Sequence, residues 1–458
     1  MDLSFDTIVA PITAPGVGAI AVVRVSGPGT IKIAEALCSK AKDILAAPRS
    51  LVLSDIVYGG ESIDSGMAVF FKGPESFTGE DSLELNLHGS PYIVARVLEA
   101  ALSAGARMAE PGEFSKRAYL NGKLDLTQAE AIADLISAES DAQLRIAREQ
   151  LGGKLSSALS ELGDPLRNTL AEIEAYIDFP EEDIEPEKAS AWLAGIEQVS
   201  SQIKTYLASF AQGRMYREGA SVCLAGFPNV GKSSLLNALL GEDRAIVTEI
   251  AGTTRDHIEE RISIDGLLVR LWDTAGLFDA DDAHSPELAE RLGIERSWEK
   301  LEQADLVLFV AGAADAPGKN LELRELVASK NPKLLTLINK SDLLSKDEQL
   351  KLGEVYGSCL FVSASSGAGL GELRSLTKSK LLGRGREGVL VSNERHAQAL
   401  RKADASLASA AKAIGESRPP ELVALDLRHA LGALDDIVGV TDTEDILGRI
   451  FSKFCIGK

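Results

Sequence analysis

The sequence predicts a multidomain α/β chain: an N-terminal α+β domain, an all-α helical domain, and a phosphate-loop domain inserted into the helical one. Three observations predict it. Gly226, Gly231, Lys232 and Ser233 stand in the spacing G-x4-G-K-S, between the apolar run Val222 to Ala225 and the helix-like stretch Leu235 to Leu240. Helical periodicity flanks that region on both sides, and the first part of the chain instead mixes short β-like runs with Gly and Pro turns. At 458 residues the chain has room for roughly two to four domains.

Residues 1–120 contain runs such as Ile20 to Val25 and Ser82 to Leu87, bounded by turn residues, which predict the α+β domain. Residues 121–217 turn helical. Ile132, Leu135 and Ile136, then Leu144, Ala147 and Leu151, have the spacings of one buried stripe. The acidic stretch Asp178 to Glu187 carries Pro180 and Pro186, so it predicts a solvated loop. Residues 218–381 alternate strand and helix signals, and residues 382–458 return to helix through the linker Gly383 to Gly388. Near the end Ile446, Leu447, Ile450, Phe451 and Phe454 form a second stripe.

The motifs of the inserted domain follow in chain order. In the loop, glycines let backbone N–H groups turn toward phosphates, Lys232 reaches the β- and γ-phosphates, and the Ser233 hydroxyl suits Mg²⁺. Asn229, Val230, Gly231, Lys232, Ser233 and Ser234 are therefore candidate GTP contacts. Thr248, Glu249, Ile250, Ala251, Gly252, Thr253 and Thr254 form the next segment, in which Thr254 supplies the second protein oxygen to Mg²⁺. After the apolar run Leu267 to Trp272 come Asp273, Thr274, Ala275 and Gly276, where an Asp at a strand end holds Mg²⁺ through water. The run Leu334 to Ile338 delivers Asn339, Lys340 and Asp342. A carboxylate at Asp342 accepts two N–H bonds from guanine, which adenine cannot offer. Ser363, Ala364 and Ser365 complete the base pocket. Together these spacings predict a Ras-like P-loop GTPase domain that takes GTP and Mg²⁺. Ras-like enzymes place a water-orienting Gln directly after the third motif's glycine; here that residue is Leu277, so something else must orient the water.

A net charge of −20 argues against a protein that coats nucleic acid through a broad basic surface, although it leaves room for a local patch. Cys38, Cys223, Cys359 and Cys455 share no C-x-x-C spacing, so neither a disulfide framework nor a metal cluster is expected. The N-terminus has no basic start and no long apolar run, which predicts a cytoplasmic protein with no membrane segment.

Further residues carry a family resemblance. Asp6 to Ala10, Arg24 to Pro28, Thr78 to Asp81, Pro111 to Phe114, Leu120 to Asp125 and the ending Phe454 to Lys458 resemble the bacterial tRNA-modification GTPases of the MnmE/TrmE family, over essentially the whole chain. The resemblance implies an N-terminal tetrahydrofolate-binding-like domain that forms a homodimer. It implies an FAD-dependent partner, MnmG (GidA), in a heterotetramer. Together the two install an aminomethyl or carboxymethylaminomethyl group on C5 of the wobble uridine, position 34, of certain tRNAs. The one-carbon unit comes from 5-formyl- or methylene-tetrahydrofolate, and GTP hydrolysis is required.

Residue by residue, the resemblance assigns folate to Arg24, Glu84, Lys123 and Lys458; read alone, each would be an ordinary surface ion pair. It implies K⁺ near the phosphates in place of an arginine finger, held by the Asn229 side chain with oxygens of Thr248, Ile250 and Thr253. The water-orienting glutamate precedes an Arg-hydrophobic-Gly-Ile run, here Arg291 to Ile294, which makes it Glu290 with Glu287 as the rival. Cys455 has two readings, a catalytic thiol near the folate or a small buried hydrophobe. The chain departs from the family in a longer segment Leu277 to Ala289, with Pro286, and in Phe278 where a basic residue is expected.

A second class of function remains open at this stage: a GTP-timed RNA-binding or ribosome-assembly factor. Gly385, Arg386, Glu387 and Gly388 have the G-x-x-G spacing of an RNA-binding loop, but no β-α-α-β pattern surrounds them.

Overall fold

The computed structural model describes residues 6–178, 186–243, 259–273, 298–383, 391–440, 444–452, 454 and 457. The chain divides into two compact units. One comprises Met1–Ala133, Gln150–Ser160 and Leu431–Lys458; the other comprises Asp134–Glu149 and Glu161–Ala430.

The first unit is built on a six-stranded sheet of β1 (Ile8–Pro11), β2 (Ile20–Ser26), β3 (Val52–Tyr58), β4 (Glu61–Phe71), β5 (Ser82–His88) and β6 (Arg107–Met108), in the order β3-β4-β5-β2-β1-β6. All neighbours are antiparallel except β1 and β6. Side chains alternate across a strand. Val9, Val23, Val25, Leu83, Leu85 and Phe70 therefore share one face, packed against Ile33 and Leu37 of α1 (Thr30–Leu37), Ile44 of α2 (Ala41–Ala46) and Val97 of α3 (Pro91–Ser103). Ile8 and Ala10 point the other way and bury Phe114 of α4 (Glu113–Leu120). The C-terminal helix Glu444–Phe451 belongs to this unit: Leu447, Phe451 and Phe454 pack with Tyr119 and Leu126, and Tyr119 Oη donates to the Gly439 carbonyl at 2.5 Å.

An ionic knot closes this unit. Arg117, 1% exposed at its side chain, bonds the Asp6 carbonyl at 2.7 Å, Asp6 Oδ1 at 3.0 Å, Glu113 at 2.9 Å and Glu80 at 3.1 Å. Arg107 reaches both Asp6 and Glu113. Burial alone would raise the Glu113 pKa, but its bonds to Arg107, the Glu110 amide and Arg117 outweigh that and hold it near about 2. The Thr78 to Asp81 and Pro111 to Phe114 motifs thus meet in a structural ion cluster.

The second unit carries the other sheet: β7 (Ala220–Ala225), β8 (Glu259–Ile264), β9 (Leu267–Asp273), β10 (Leu306–Gly312), β11 (Leu334–Asn339) and β12 (Cys359–Phe361), in the order β12-β11-β10-β7-β9-β8. Only β8 runs antiparallel to its neighbour. Both faces are covered, so the strands read as continuous apolar runs; β10 is buried at every position. The long helices of the unit pack alongside: α8 (Pro186–Glu218) lies against Glu394–Gly415, with Ser200 Oγ donating to Asp404 at 2.6 Å, and Trp192 Nε1 donates to Glu172 of α7 (Lys154–Asp178) at 2.7 Å.

The single buried stripe expected over Ile132 to Leu151 is two helices, α5 (Leu126–Ile136) and α6 (Asp141–Leu151). Residues 137–140 break the phase, so Ile136 and Leu144 are exposed and the buried face of α6 is Ala142, Ile146 and Ala147. The acidic loop over residues 179–185 and the linker over 384–388 lie outside the described residues.

Candidate functional site: a phosphate loop and its base pocket

β7 runs straight into the loop and α9 (Lys232–Asp243) leaves it, which aims the unpaired N–H groups and positive end of α9 at the loop. Gly226 has φ +149 and Gly231 φ +93. A side chain on Gly226 would collide with the Val310 carbonyl and one on Gly231 with the Asn339 amide, so these two glycines also serve close packing. Lys232 is buried, and its Nζ donates to the carbonyls of Gly226 at 2.8 Å and Phe227 at 3.0 Å. Those are weak partners for a buried ammonium, and an anion in the loop would compete for it.

The base motifs close onto the loop from β11 and β12. Asn339 Nδ2 donates to the Val230 carbonyl at 2.9 Å, its Oδ1 accepts from the Ala364 amide at 3.2 Å, and Lys340 Nζ donates to the Asn229 carbonyl at 2.8 Å. Ser363 Oγ donates to Asp342 Oδ1 at 2.5 Å and lies 3.0 Å from Ser365 Oγ. The Ser363 hydroxyl, with help from Ser365, holds the Asp342 carboxyl below the usual carboxylate range, so it stays an acceptor. Loop, Asn339, Lys340, Asp342 and Ser363 to Ser365 are thus brought together. Asp273 ends β9, its backbone opposite Leu224 in the adjacent β7.

Ser233 is exposed at the start of α9, where a hydroxyl beside helix N–H groups suits a cation that bridges to phosphate. Thr248, Glu249, Ile250, Ala251, Gly252, Thr253 and Thr254 lie outside the described residues. So do Thr274, Ala275, Gly276, Leu277, Phe278, Glu287, Glu290, Cys455 and Lys458. Asn229 is exposed with φ +63, a conformation that Asn tolerates better than most residues.

In the first unit, Arg24 on β2 and Glu84 on β5 are register neighbours paired at 2.6 Å, both under a quarter exposed. The Arg24 guanidinium stacks on Phe77 and Phe114, 5.2 and 5.5 Å from their ring centres. Phe77 also lines a pocket of about 500 Å³ with Arg49, Phe71, Glu75, Ser76 and Lys123. Lys123 Nζ donates to the Pro74 carbonyl at 3.0 Å. Phe77 and Arg49 were not singled out by sequence; an aromatic in the Ser76 to Asp81 turn was the available signal. The glycine beside the terminal lysine, Gly457, has φ +98 and packs against the backbone of Pro11 and Ile12 at the end of β1.

Fold and motifs define a P-loop protein of the GTP-selective class. Residues 7–123 match the family described as GTP-binding protein TrmE N-terminus, and residues 126–455 match the MnmE helical domain. The tRNA modification GTPase MnmE of Akkermansia muciniphila is 44% identical over 457 residues, 99% of each chain. That of Aquifex aeolicus is 43% identical over 459 residues, 99% of this chain and all of the other. Among solved structures, the G domain of the T. maritima FeoB iron transporter is 29% identical over 36% of this chain and 99% of its own, with a TM-score of 0.27. The chain belongs to the MnmE/TrmE family of tRNA modification GTPases, and it is a GTP hydrolase. Among the described residues no helix is long and apolar enough to cross a membrane.

Proposed function

We propose that this protein is a potassium-dependent GTPase. As a homodimer with an FAD-dependent partner of the MnmG type, it modifies C5 of the wobble uridine of certain tRNAs with a folate one-carbon unit. Family membership supports the tRNA substrate. The observation that carries the folate assignment is the convergence on Phe77: Arg24, paired with Glu84, stacks on this ring, and the same ring walls the pocket that holds Lys123. Two aromatic rings, Phe71 and Phe77, and two cations, Arg49 and Lys123, suit a flat heterocycle with an anionic tail. Glu84 can accept from a pterin amino edge, with Lys458 from the chain end as a fourth contact. The bound folate would supply the one-carbon unit.

At the nucleotide, Lys232 would hold the β- and γ-phosphates, Ser233 and Thr254 would give Mg²⁺ its protein oxygens, and Asp342 with Ser363 to Ser365 would read guanine. Mg²⁺ and K⁺ supply positive charge that offsets the negative charge growing on the phosphates. Asn229, Thr248, Ile250 and Thr253 would hold K⁺, and Glu290 would orient the attacking water. Cys455 keeps both its readings.

Calorimetric titration with 5-formyl-tetrahydrofolate tests the folate reading. Binding by the wild-type protein, weakened at least roughly tenfold in Arg24→Ala while GTP hydrolysis is retained, supports it. No binding, or equal binding by the variant, overturns it.

A further inference from the structure

Arg49 carries a long cation on a left-handed backbone. Its φ is +64, a conformation that costs energy for a residue with a Cβ, and its N–H donates to the Phe70 carbonyl at 2.8 Å, which fixes it beside the end of β4. The guanidinium reaches the turn that follows that strand. Its Nη2 donates to the Glu75 carbonyl at 2.8 Å and pairs with Glu75 Oε2 at 3.3 Å, both side chains being more than half exposed. Lys123 Nζ donates to the neighbouring Pro74 carbonyl at 3.0 Å. Two cations from distant parts of the chain are thus set on successive residues of one turn, whose Cα atoms are about 3.8 Å apart.

A third cation, Lys72, stands exposed on the same turn, which the Glu75 amide closes by donating to the Lys72 carbonyl at 3.0 Å. Of the carboxylates nearby, Asp81 is engaged with the Gly73 amide at 2.9 Å, and among the described residues that line the pocket Glu75 is the one acid. On a chain of net charge −20, this rim is a local basic site. The pocket also has a direction. Phe77 meets the Arg24–Glu84 pair through its ring, whereas Arg49 and Glu75 form an open edge. On the folate reading proposed above, on which this inference rests, the pterin edge lies toward Glu84, so the glutamyl tail leaves past Arg49. A single glutamate brings two carboxylates, and the rim offers three cations. Main-chain carbonyls and an exposed Glu75 are weak competitors for them, because a ligand carboxylate makes charge-assisted bonds and can take two N–H groups of the Arg49 fork.

We infer that Arg49, Lys123 and Lys72 form a subsite for a γ-linked oligoglutamyl tail, so that the protein selects folates carrying several glutamates over the monoglutamate, and that the tail displaces Glu75 from Arg49. Each added glutamate brings one more carboxylate to a solvent-exposed rim, so the gain per contact is a few-fold and is screened by salt. Glu75 repels the same tail and holds the selectivity below what the three cations alone would give.

Calorimetric titration of the full-length protein with 5-formyl-tetrahydrofolate, as the monoglutamate and as the triglutamate, tests it. The subsite predicts binding of the triglutamate tighter by roughly fivefold or more at low salt, a preference that shrinks as ionic strength rises. Arg49→Gly, which removes the cation and relaxes the left-handed backbone, should bring the two forms to within about twofold of each other. Lys72→Gln should reduce the preference in part, and Glu75→Gln should tighten triglutamate binding. Equal affinity of the wild type for the two forms overturns the inference and leaves the folate reading standing, whereas binding of neither form overturns both. A preference that survives Arg49→Gly, or one indifferent to salt, also overturns the inference.

Discussion

Ser363 Oγ donates to Asp342 Oδ1 at 2.5 Å, so the acceptor of the base pocket is oriented by a hydroxyl from a separate strand end. Asp342 stands exposed just after β11 and Ser363 is buried just after β12, and the Ser341 amide bonds the Val362 carbonyl at 3.0 Å to keep the two loops in step. On the proposed assignment, guanine selectivity would depend on two loops.

Two substitutions separate their roles. Asp342→Asn replaces a two-fold acceptor by a group that can also donate, so GTP affinity should fall by at least roughly a hundredfold while xanthosine triphosphate, which offers a carbonyl at C2, gains. Ser363→Ala should cost about tenfold for GTP with no gain for the xanthine analogue. Competition between the two nucleotides in a fluorescence binding assay reads both.

Lys232 is the second case. Its Nζ rests on two backbone carbonyls, so the lysine is already folded over the loop before an anion arrives. Lys232→Met, which keeps the apolar stem and removes the charge, should leave folding intact and lower the rate of GTP hydrolysis by roughly 10² to 10³. A loss confined to thermal stability would contradict the assignment.

The ionic knot gives a pH prediction. Glu113, near about 2 when folded against 4.5 ordinarily, and Asp6, lowered chiefly by its Arg107 bond, both have depressed pKa values. Their stabilisation is complete above pH 4.5 and is lost as the pH falls from there toward about 2. Acid titration followed by hydrogen exchange should show the N-terminal unit loosening within that window. Arg117→Met leaves the buried Glu80 carboxylate without a cation, with only the Ser26 hydroxyl at 2.7 Å, while Glu113 keeps Arg107 at 2.6 Å, and should cost roughly 3 kcal/mol at neutral pH.

What was legible in the sequence follows from how local each signal is. The phosphate loop, Asn339 to Asp342 and Ser363 to Ser365 are short motifs at strand ends, and a strand–loop–helix context identifies them without knowledge of the partner strand. The ionic knot was not legible: Arg107 and Arg117 lie about a hundred residues from Asp6, and no spacing rule links them. Phe77 is not legible for the same reason, because its place is set by Arg24 over its ring and Lys123 in the same pocket. The α5–α6 boundary carries a local signal. Ser140 caps α6, its Oγ accepting from the Gln143 amide at 3.3 Å, in the S-x-x-Q pattern of a helix start.

Asn229 illustrates why a residue can be located and still be ambiguous. Its φ of +63 gives it a conformational reason to be Asn, independent of any cation. Asn229→Ala removes the side-chain oxygen and adds backbone strain, whereas Asn229→Gly removes the oxygen alone. The pair of variants therefore isolates the side chain.

GTP hydrolysis by the purified protein in KCl against NaCl at equal ionic strength, with Asn229→Gly and Asn229→Ala in parallel, tests the potassium-dependent mechanism most directly. The account predicts strong stimulation by K⁺ that disappears in both variants. Equal rates in the two salts, or stimulation retained in Asn229→Gly, would contradict it.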